Sequence, residues 1–417
     1  MAIQFFTRNQ DYFKGTSPEA LLSQFGGPLY VYHERILRER CRQMKTLVPY
    51  PRFTADYSVK ANTNLALLKI VHEEGLHADA MSPGEMTLLL AAGFQPEEIF
   101  FVCNNVSPEE MAFAVERGIT VSVDSLSQLE TFGKRFPGAA VAVRFNSGHG
   151  VGHHEKVTTA GKHTKFGISG DEAQEVKAVV KRHGLKLVGI NQHLGSLFME
   201  PETYFLGSSV LMDLATQFEE LSFIDLGGGF GIPYHKQEGQ QPLDLVPIYA
   251  RLGAMMEAFS ARCGRQITFK VEPGRFIPAE CCVLLGTVWA TKENSGTRYV
   301  GTDLGFNVLQ RPVMYNSYHE LEVYRNGQLL AEPYDQIQTV VGNICETGDI
   351  LAKNRPLPLI QEGDILGVMD AGAYGFSMAS SYNSRPRPAE VLLPLNGPPR
   401  LIRRRETIED LMRQFEV

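Results

Sequence analysis

The sequence predicts a (β/α)8 TIM-type barrel joined to a C-terminal antiparallel β domain, an α/β plus β fold class. First, short apolar runs alternate with amphipathic helical stretches from residue 27 to residue 276, which is typical of a parallel sheet. Second, eight or so of these βα units fill about 250 residues, the usual size of such a barrel. Third, the pattern changes after residue 276 to β-branched runs separated by Gly, Asn-Gly and Pro, which indicate antiparallel strands.

The predicted barrel strands are short runs with strong β propensity. The stretch MSPGEMTLLLAAG begins a helix between two of them, because Ser82 can cap it, Pro83 suits its first position and Glu85 completes a capping box. An open, doubly wound sheet is the structural alternative. The predicted strands are PLYVY, FTADYSV, HADAM, IFFVC, TVSVD, AVAVRF, LVGINQHL, FIDLGGG and TFKVEPG.

The second domain is predicted from residues 277–417. Its runs include CCVLLGTVWATKE, RYVGTDLG, LEVYRNGQLLAEP, IQTVVGNI and DILGVMDAG. We expect residues 1–26 to join this domain, since it otherwise has no obvious N-terminal partner. The predicted boundaries are therefore residues 27–276 for the barrel, and residues 1–26 with 277–417 for the β domain.

Composition excludes several classes of protein. The net charge of -7 argues against a nucleic-acid-binding protein, which needs a basic face. No signal peptide is visible, and no apolar run approaches the roughly 20 residues of a membrane helix. The six cysteines form no C-x-x-C pair, which favours free thiols in a reducing, cytoplasmic protein.

A histidine-rich stretch, SGHGVGHHEK, is the one sequence that suggests a metal site. Its histidines, His149, His153 and His154, lack the spacing and the partners of a zinc site. We interpret residues 147–165 as a loop and expect no metal.

Lys60 ends the apolar run DYSV and is followed by a polar Ala-Asn-Thr-Asn turn. It is either a solvent-facing strand end or a buried amine kept for chemistry. The stretch DLGGGFGIPY contains Gly228 and Gly229 and is either a tight turn or an anion-binding loop. It matches neither a dinucleotide fingerprint nor a Walker A loop.

Other motifs end predicted strands or lie in glycine-rich turns. VEPGRF contains Glu272, Gly274 and Arg275, and QHLGS contains His193 and Ser196. NICETGD places Cys345 beside Glu346, and Tyr374 lies in DAGAYGF. Taken singly, each has an ordinary structural explanation: a common turn, a core histidine, or a buried small thiol.

Taken together and in this order, the motifs resemble those of the alanine-racemase-type, or fold type III, pyridoxal-phosphate-dependent decarboxylases. The resemblance runs through YSVKAN, HLGS, GGG, EPGR, RPVMY, CETGD and DAGAYG and covers essentially the whole chain. GHHEKVTTAGKHTKFGI and YNSRPRPAEVL further resemble the branch that converts meso-2,6-diaminopimelate to L-lysine and CO2. The resemblance implies a barrel plus β domain, pyridoxal 5'-phosphate as cofactor, and a cytoplasmic homodimer with shared active sites.

The resemblance also implies roles for particular residues. Lys60 would bind the cofactor covalently, Glu272 would hold its ring nitrogen protonated, His193 would stack on the ring, and Cys345 would be the acid that reprotonates the carbon. Cofactor contacts are implied for Lys60, His193, Ser196, Gly228, Gly229, Glu272, Gly274, Arg275 and Tyr374.

Substrate contacts follow from the same resemblance. Arg275 and Arg311 would bind the far carboxylate as forks, and Glu346 would accept the far ammonium. Tyr315 and Tyr374 complete the implied set. Cys345 and Glu346 would come from the partner subunit.

Three other functions compete with this one. A decarboxylase of the same fold could act on ornithine, lysine or a carboxylated polyamine, but these substrates offer no anionic partner to Arg275 and Arg311. A non-catalytic pyridoxal-phosphate carrier would not need the extra β domain. A metal-dependent barrel hydrolase would need ligand spacing that the sequence lacks.

Overall fold

The structure is a computed structural model that describes residues 4–148, 151–152, 164–331 and 333–416. The chain divides into two compact units. The first, here called the barrel unit, contains Arg38–Ile232 and Pro242–Ile277. The second, the β unit, contains Met1–Leu37, Pro233–Gln241 and Pro278–Val417.

The barrel unit contains a closed barrel of parallel strands, as predicted. Each strand pairs with its neighbour in the chain, and the last pairs with the first through Phe269 and Phe53. This closure excludes an open, doubly wound sheet, whose edge strands would not meet. The eight strands are Phe53–Ser58, His77–Ala80, Ile99–Val102, Thr120–Val123, Ala140–Asn146, Lys186–Asn191, Phe223–Asp225 and Thr268–Val271.

Helices connect the barrel strands, and local capping sets where they begin. Ser82 caps Pro83–Ala92 by accepting a hydrogen bond from the Glu85 backbone N–H at 3.2 Å, as predicted. The Glu85 carboxylate accepts from the Met81 backbone N–H at 2.6 Å, one residue before the position of a standard capping box. The helices are Glu34–Lys45, which spans the unit boundary, Leu65–Glu73, Pro83–Ala92, Pro108–Val115, Leu126–Arg135, Ala173–His183, Glu202–Ala215 and Val246–Cys263.

The β unit is built on one ten-stranded sheet. Most of its pairs are antiparallel, and two are parallel. Its strands are Leu29–His33, Cys282–Asn294, Thr297–Thr302, Leu321–Arg325, Gln328–Leu329, Gln336–Val341, Ile350–Leu357, Ile365–Val368, Ala389–Leu393 and Arg400–Arg403. Its helices are Phe6–Asn9, Pro18–Phe25, Arg311–Tyr315 and Ile408–Met412.

One predicted barrel strand, PLYVY, lies in the β unit instead. Leu29–His33 is buried along its whole length, pairing parallel with Ala389–Leu393 and antiparallel with Cys282–Asn294. A strand covered on both faces has a continuous apolar sequence in either domain, so composition could not distinguish the two. The structure therefore divides the units after Leu37 and not after residue 26.

The described ranges contain neither a candidate membrane-spanning helix nor a candidate metal cluster. No helix among these residues is long and apolar enough to cross a membrane. The same residues contain no cluster of three or more His, Cys, Asp or Glu side chains suited to a metal ion. His149, His153 and His154 lie outside the described residues.

Candidate active site

Lys60 lies at the carboxyl end of the first barrel strand, in a single 3-10 turn, Val59–Ala61. The polar turn after it is a capping structure, because Asn64 caps the next helix by accepting from the Ala66 backbone N–H at 2.9 Å. Lys60 is half-buried and interacts electrostatically with Asp79, Glu85, His193 and Glu272. The structure thus favours the second interpretation of Lys60, an amine held inside a charged site.

Three buried carboxyl groups share this end of the barrel: Asp79, Asp225 and Glu272. Burial raises the pKa of Asp79 and of Asp225 well above the usual range, and the nearby Glu272 raises both further. Burial also opposes ionisation of Glu272, but the adjacent His193 ring and the charge of Lys60 outweigh it and lower its pKa. Glu272 is therefore the group of the three that stays ionised, a division of roles set by environment.

His193 follows the strand Lys186–Asn191 and lies next to Glu272. Its Nδ1 is 3.6 Å from Glu272 Oε2 and accepts a hydrogen bond from the Gly228 backbone N–H at 3.3 Å. Burial lowers the pKa of His193 to about 4, the positive charge of Lys60 adds to this effect, and Glu272 opposes it. The imidazole is consequently neutral at neutral pH.

The backbone of the glycine-rich loop lies close to the backbone of Glu272. Gly227 and Gly229 have φ of +76° and +111°, in the region that favours glycine. A Cβ atom on Gly228 would lie 1.9 Å from the Glu272 carbonyl oxygen. No side chain fits there, so the sequence requires glycine at this position.

Ser196, Gly274 and Arg275 complete the predicted residues of the barrel unit. Arg275 is buried, and its Nη2 donates to Ser196 Oγ at 2.8 Å. Gly274 is buried just after the strand Thr268–Val271. The structure therefore places all the barrel-unit residues of the predicted site after the carboxyl ends of strands, where barrel enzymes bind their substrates.

The remaining predicted residues belong to the β unit. Arg311 and Tyr315 are the first and last residues of one short helix, and Tyr374 has a left-handed backbone with φ of 56°. Cys345 and Glu346 are both exposed.

The turn at residues 382–383 contacts both members of the Cys345–Glu346 pair. Tyr382 donates its hydroxyl to Glu346 Oε1 at 2.7 Å. The Asn383 amide donates to Cys345 Sγ and accepts from the Cys345 backbone N–H, each at 3.2 Å. Asp349 fixes the same loop by accepting from the Ile344 backbone N–H at 2.8 Å. The thiol and the carboxylate are thus oriented together.

Sequence reasoning missed several of these residues. In the barrel unit they are Asp79, Asp225 and Arg144, which is buried among the carboxyl groups. Each is a charged residue inside an apolar strand run (HADAM, FIDLGGG, AVAVRF). Charged residues are rarely buried without a partner, so their presence in these strands could have indicated a site. Tyr382 and Asn383 begin YNSRPRPAEVL, so the resemblance marked their segment but gave neither residue a role.

Comparison with known proteins identifies the family. The family model described as "Pyridoxal-dependent decarboxylase, pyridoxal binding domain" matches residues 34–279. The diaminopimelate decarboxylase of Methanothermobacter thermautotrophicus is 42% identical over 408 residues, which cover 96% of this chain and 94% of that protein. This chain belongs to the diaminopimelate decarboxylase family. The family member from Escherichia coli is 35% identical, with 94% of each chain covered.

Solved structures of the family agree with this assignment. A crystal structure of diaminopimelate decarboxylase matches with a TM-score of 0.89 at 33% identity, covering 96% of this chain and 98% of that one. The Helicobacter pylori enzyme complexed with L-lysine matches with a TM-score of 0.86 at 30% identity, covering 95% and 98%. A lysine/ornithine decarboxylase from Vibrio vulnificus, at 22% identity, shares the fold. Its TM-score is 0.76, with 91% of this chain and 97% of that one covered.

The cofactor of the family is pyridoxal phosphate, and the barrel site fits it. Glu272 Oε1 is buried and, among the described residues, has no hydrogen-bond partner. A buried carboxylate oxygen of this kind needs a donor, and a protonated pyridine nitrogen is one. When bound, the cofactor supplies an electron sink for the charge left on the substrate carbon as CO2 departs.

Proposed function

We propose that this protein decarboxylates meso-2,6-diaminopimelate to L-lysine and CO2, the last step of lysine biosynthesis. The observation that carries the proposal is the 42% identity to a diaminopimelate decarboxylase over 96% of the chain. Two matching structures of a lysine/ornithine decarboxylase, the same-fold alternative, are 22–23% identical to this chain, a level at which likeness shows the fold alone.

A substrate panel tests the proposal directly. Purified protein with pyridoxal phosphate should release CO2 from meso-diaminopimelate far faster than from ornithine, lysine or a carboxylated polyamine. Fastest release from one of the other three would favour the alternative.

In this proposal the barrel unit binds the cofactor. Lys60 binds it covalently, and Glu272, the ionised carboxylate, accepts from the ring nitrogen. The neutral ring of His193 can lie against the cofactor ring without adding a positive charge. Further contacts are proposed for Ser196, Gly228, Gly229, Gly274 and Arg275, and for Tyr374 of the β unit.

The β unit supplies the substrate contacts and the acid in this proposal. The Cys345 thiol donates a proton to the carbon from which CO2 has left, and Glu346 accepts from the far ammonium. Tyr315 and Tyr374 add hydroxyl groups to the substrate site. Since both members of the Cys345–Glu346 pair are exposed on their own unit, we propose that they act in the partner subunit's site. A homodimer and a cytoplasmic location belong to the same proposal.

Glu272→Gln should retain the cofactor but lower turnover by roughly a hundredfold. A single charged hydrogen bond aimed at developing charge is worth about 2–4 kcal/mol in a transition state, and glutamine cannot supply the charge. Absorbance titration measures cofactor binding, and CO2 release measures turnover.

A matched control is Glu130→Gln, which removes a half-buried carboxylate that pairs with Arg182 and His183 on the helices of the same unit. It should retain wild-type turnover. Wild-type turnover in Glu272→Gln would contradict the role of Glu272.

Arg311→Ala and Arg275→Ala should each impair diaminopimelate turnover far more than any residual turnover of lysine. When lysine reacts at its α-amino-acid end, it has no second carboxylate for an arginine to bind. Diaminopimelate has one, and leaving this largely desolvated carboxylate without its arginine partner costs several kcal/mol. The ratio of kcat/KM for the two substrates is the measurement.

Arg404→Ala is the control for this pair, because Arg404 is exposed and pairs with Asp410 near the C-terminus. It should leave the ratio unchanged. Equal losses on both substrates for Arg275→Ala and Arg311→Ala would mean that these arginines are structural.

A further inference from the structure

Arg311 is held on two sides within the β unit. Its side chain is almost completely buried, with 1% of the residue surface exposed. Nη1 lies 2.7 Å from Nε2 of His319, and the guanidinium carbon lies 4.7 Å from the centre of the Tyr234 ring. The histidine contact fixes the guanidinium in its plane, and the tyrosine covers one face.

The protonation state of His319 follows from two of its contacts. Nδ1 lies 2.8 Å from the Met369 carbonyl oxygen, which can only accept, so Nδ1 carries a proton. An arginine nitrogen can only donate, so Nε2 must accept from Arg311. His319 is therefore neutral in this geometry, and its tautomer is set by a backbone group that does not titrate.

A neutral acceptor orients an arginine without cancelling its charge. The neighbouring cation Lys236 shows the contrasting arrangement, because its Nζ lies 2.7 Å from both oxygens of Asp370 and 3.3 Å from Glu280. Asp370 also interacts electrostatically with Arg311, but its oxygens are bound to Lys236. The contact with His319 therefore orients Arg311 without itself cancelling the charge of the guanidinium.

We infer that His319 is a specificity-determining positioning residue, which orients Arg311 to bind the far carboxylate of the substrate. This inference rests on the proposed function, in which Arg311 binds that carboxylate.

Two inhibitors isolate the carboxylate contact. L-Lysine, the proposed product, retains the far amino-acid end of diaminopimelate, and cadaverine is the same molecule without its carboxylate. Inhibition constants for both are measured on the holoenzyme, with diaminopimelate as substrate. Only lysine should respond to changes in the orientation of Arg311.

His319→Asn should weaken lysine binding about tenfold, the effect of losing a hydrogen bond to a charged group, and change cadaverine binding by less than about twofold. Asparagine can donate to the Met369 carbonyl but is too short to accept from Arg311. His319→Gln should bind lysine nearly as the wild type does, because its longer amide reaches the acceptor position. This rescue separates the acceptor role from simple filling of space.

His235→Asn is the matched control. His235 belongs to the same unit, is half-buried, and contacts Tyr318 and Glu238. This variant should leave both inhibition constants unchanged. If His319→Asn does not fold, as judged by the absorbance of bound cofactor, His319→Met removes the same acceptor at similar volume.

Arg311→Lys separates this inference from the proposal on which it rests. If Arg311→Lys leaves the ratio of the lysine and cadaverine constants unchanged, Arg311 does not bind the carboxylate, and the proposed substrate site fails. If Arg311→Lys changes the ratio but the acceptor-free His319 variant does not, only the inference about His319 is overturned. Equal weakening of lysine and cadaverine binding in the acceptor-free His319 variant would also overturn the inference about His319, since a purely structural role predicts equal weakening.

Discussion

Lys60→Ala is expected to lower turnover by at least about a thousandfold, because removing a group that binds covalently abolishes both the bond and the positioning it provides. The lysine lies at the carboxyl end of a barrel strand and interacts with Glu272 and His193. CO2 release under single-turnover conditions measures the loss without a contribution from product release.

A matched variant separates covalent binding from charge. Lys60→Arg keeps a positive charge beside Glu272 but cannot form the same bond, so it should be as inactive as the alanine variant. Borohydride reduction of the wild-type holoenzyme, followed by peptide mapping, should find the cofactor attached to Lys60. Attachment to Lys165 or to another lysine would show that the assignment is wrong.

Mixing two inactive variants should restore activity if the sites are shared across a homodimer. Lys60→Ala lies in the barrel unit and Glu346→Ala in the β unit, and each homodimer should be nearly inactive. In a mixed dimer with shared sites, one site carries both substitutions and the other carries neither. Each mixed dimer should therefore show about half of the wild-type activity, by counting sites on a two-fold axis.

A second pair of variants is the control. Lys60→Ala and Glu272→Gln both alter the barrel unit, so a mixed dimer has one lesion in each site and should recover nothing beyond the residual activity of Glu272→Gln. If subunit exchange is demonstrated by mass and the first pair also recovers nothing, Glu346 serves its own subunit and the shared-site proposal is wrong.

Strand pattern predicted the barrel but left an open, doubly wound sheet as the alternative. Eight of the nine runs predicted as barrel strands form the closed sheet, because short apolar runs between amphipathic helices have few other solutions. The exception, Leu29–His33, is as apolar as the others, and its partners are more than 240 residues away in the sequence. Only long-range pairing decides which sheet such a strand joins, and local sequence does not contain that information.

The candidate site was predictable to a different degree in each unit. Residues in recurrent motifs, such as Lys60 and Glu272, could be proposed from the sequence because several motifs occur in a fixed order. His319 could not, because its role depends on two partners, Arg311 and the Met369 carbonyl, that only the folded chain brings together. A residue whose proposed role is to orient another side chain, as His319 orients Arg311, has no sequence motif that marks it.

The close approach of Gly228 to the Glu272 carbonyl has an evolutionary consequence. A Cβ at Gly228 would lie 1.9 Å from that oxygen, which belongs to the backbone, so no side-chain rotation can relieve the clash. Any side chain acquired there would push away the strand end that carries Glu272, so a mutation in the glycine loop also alters the carboxylate. Selection on this protein therefore cannot place a side chain at Gly228 without also moving the backbone that carries Glu272.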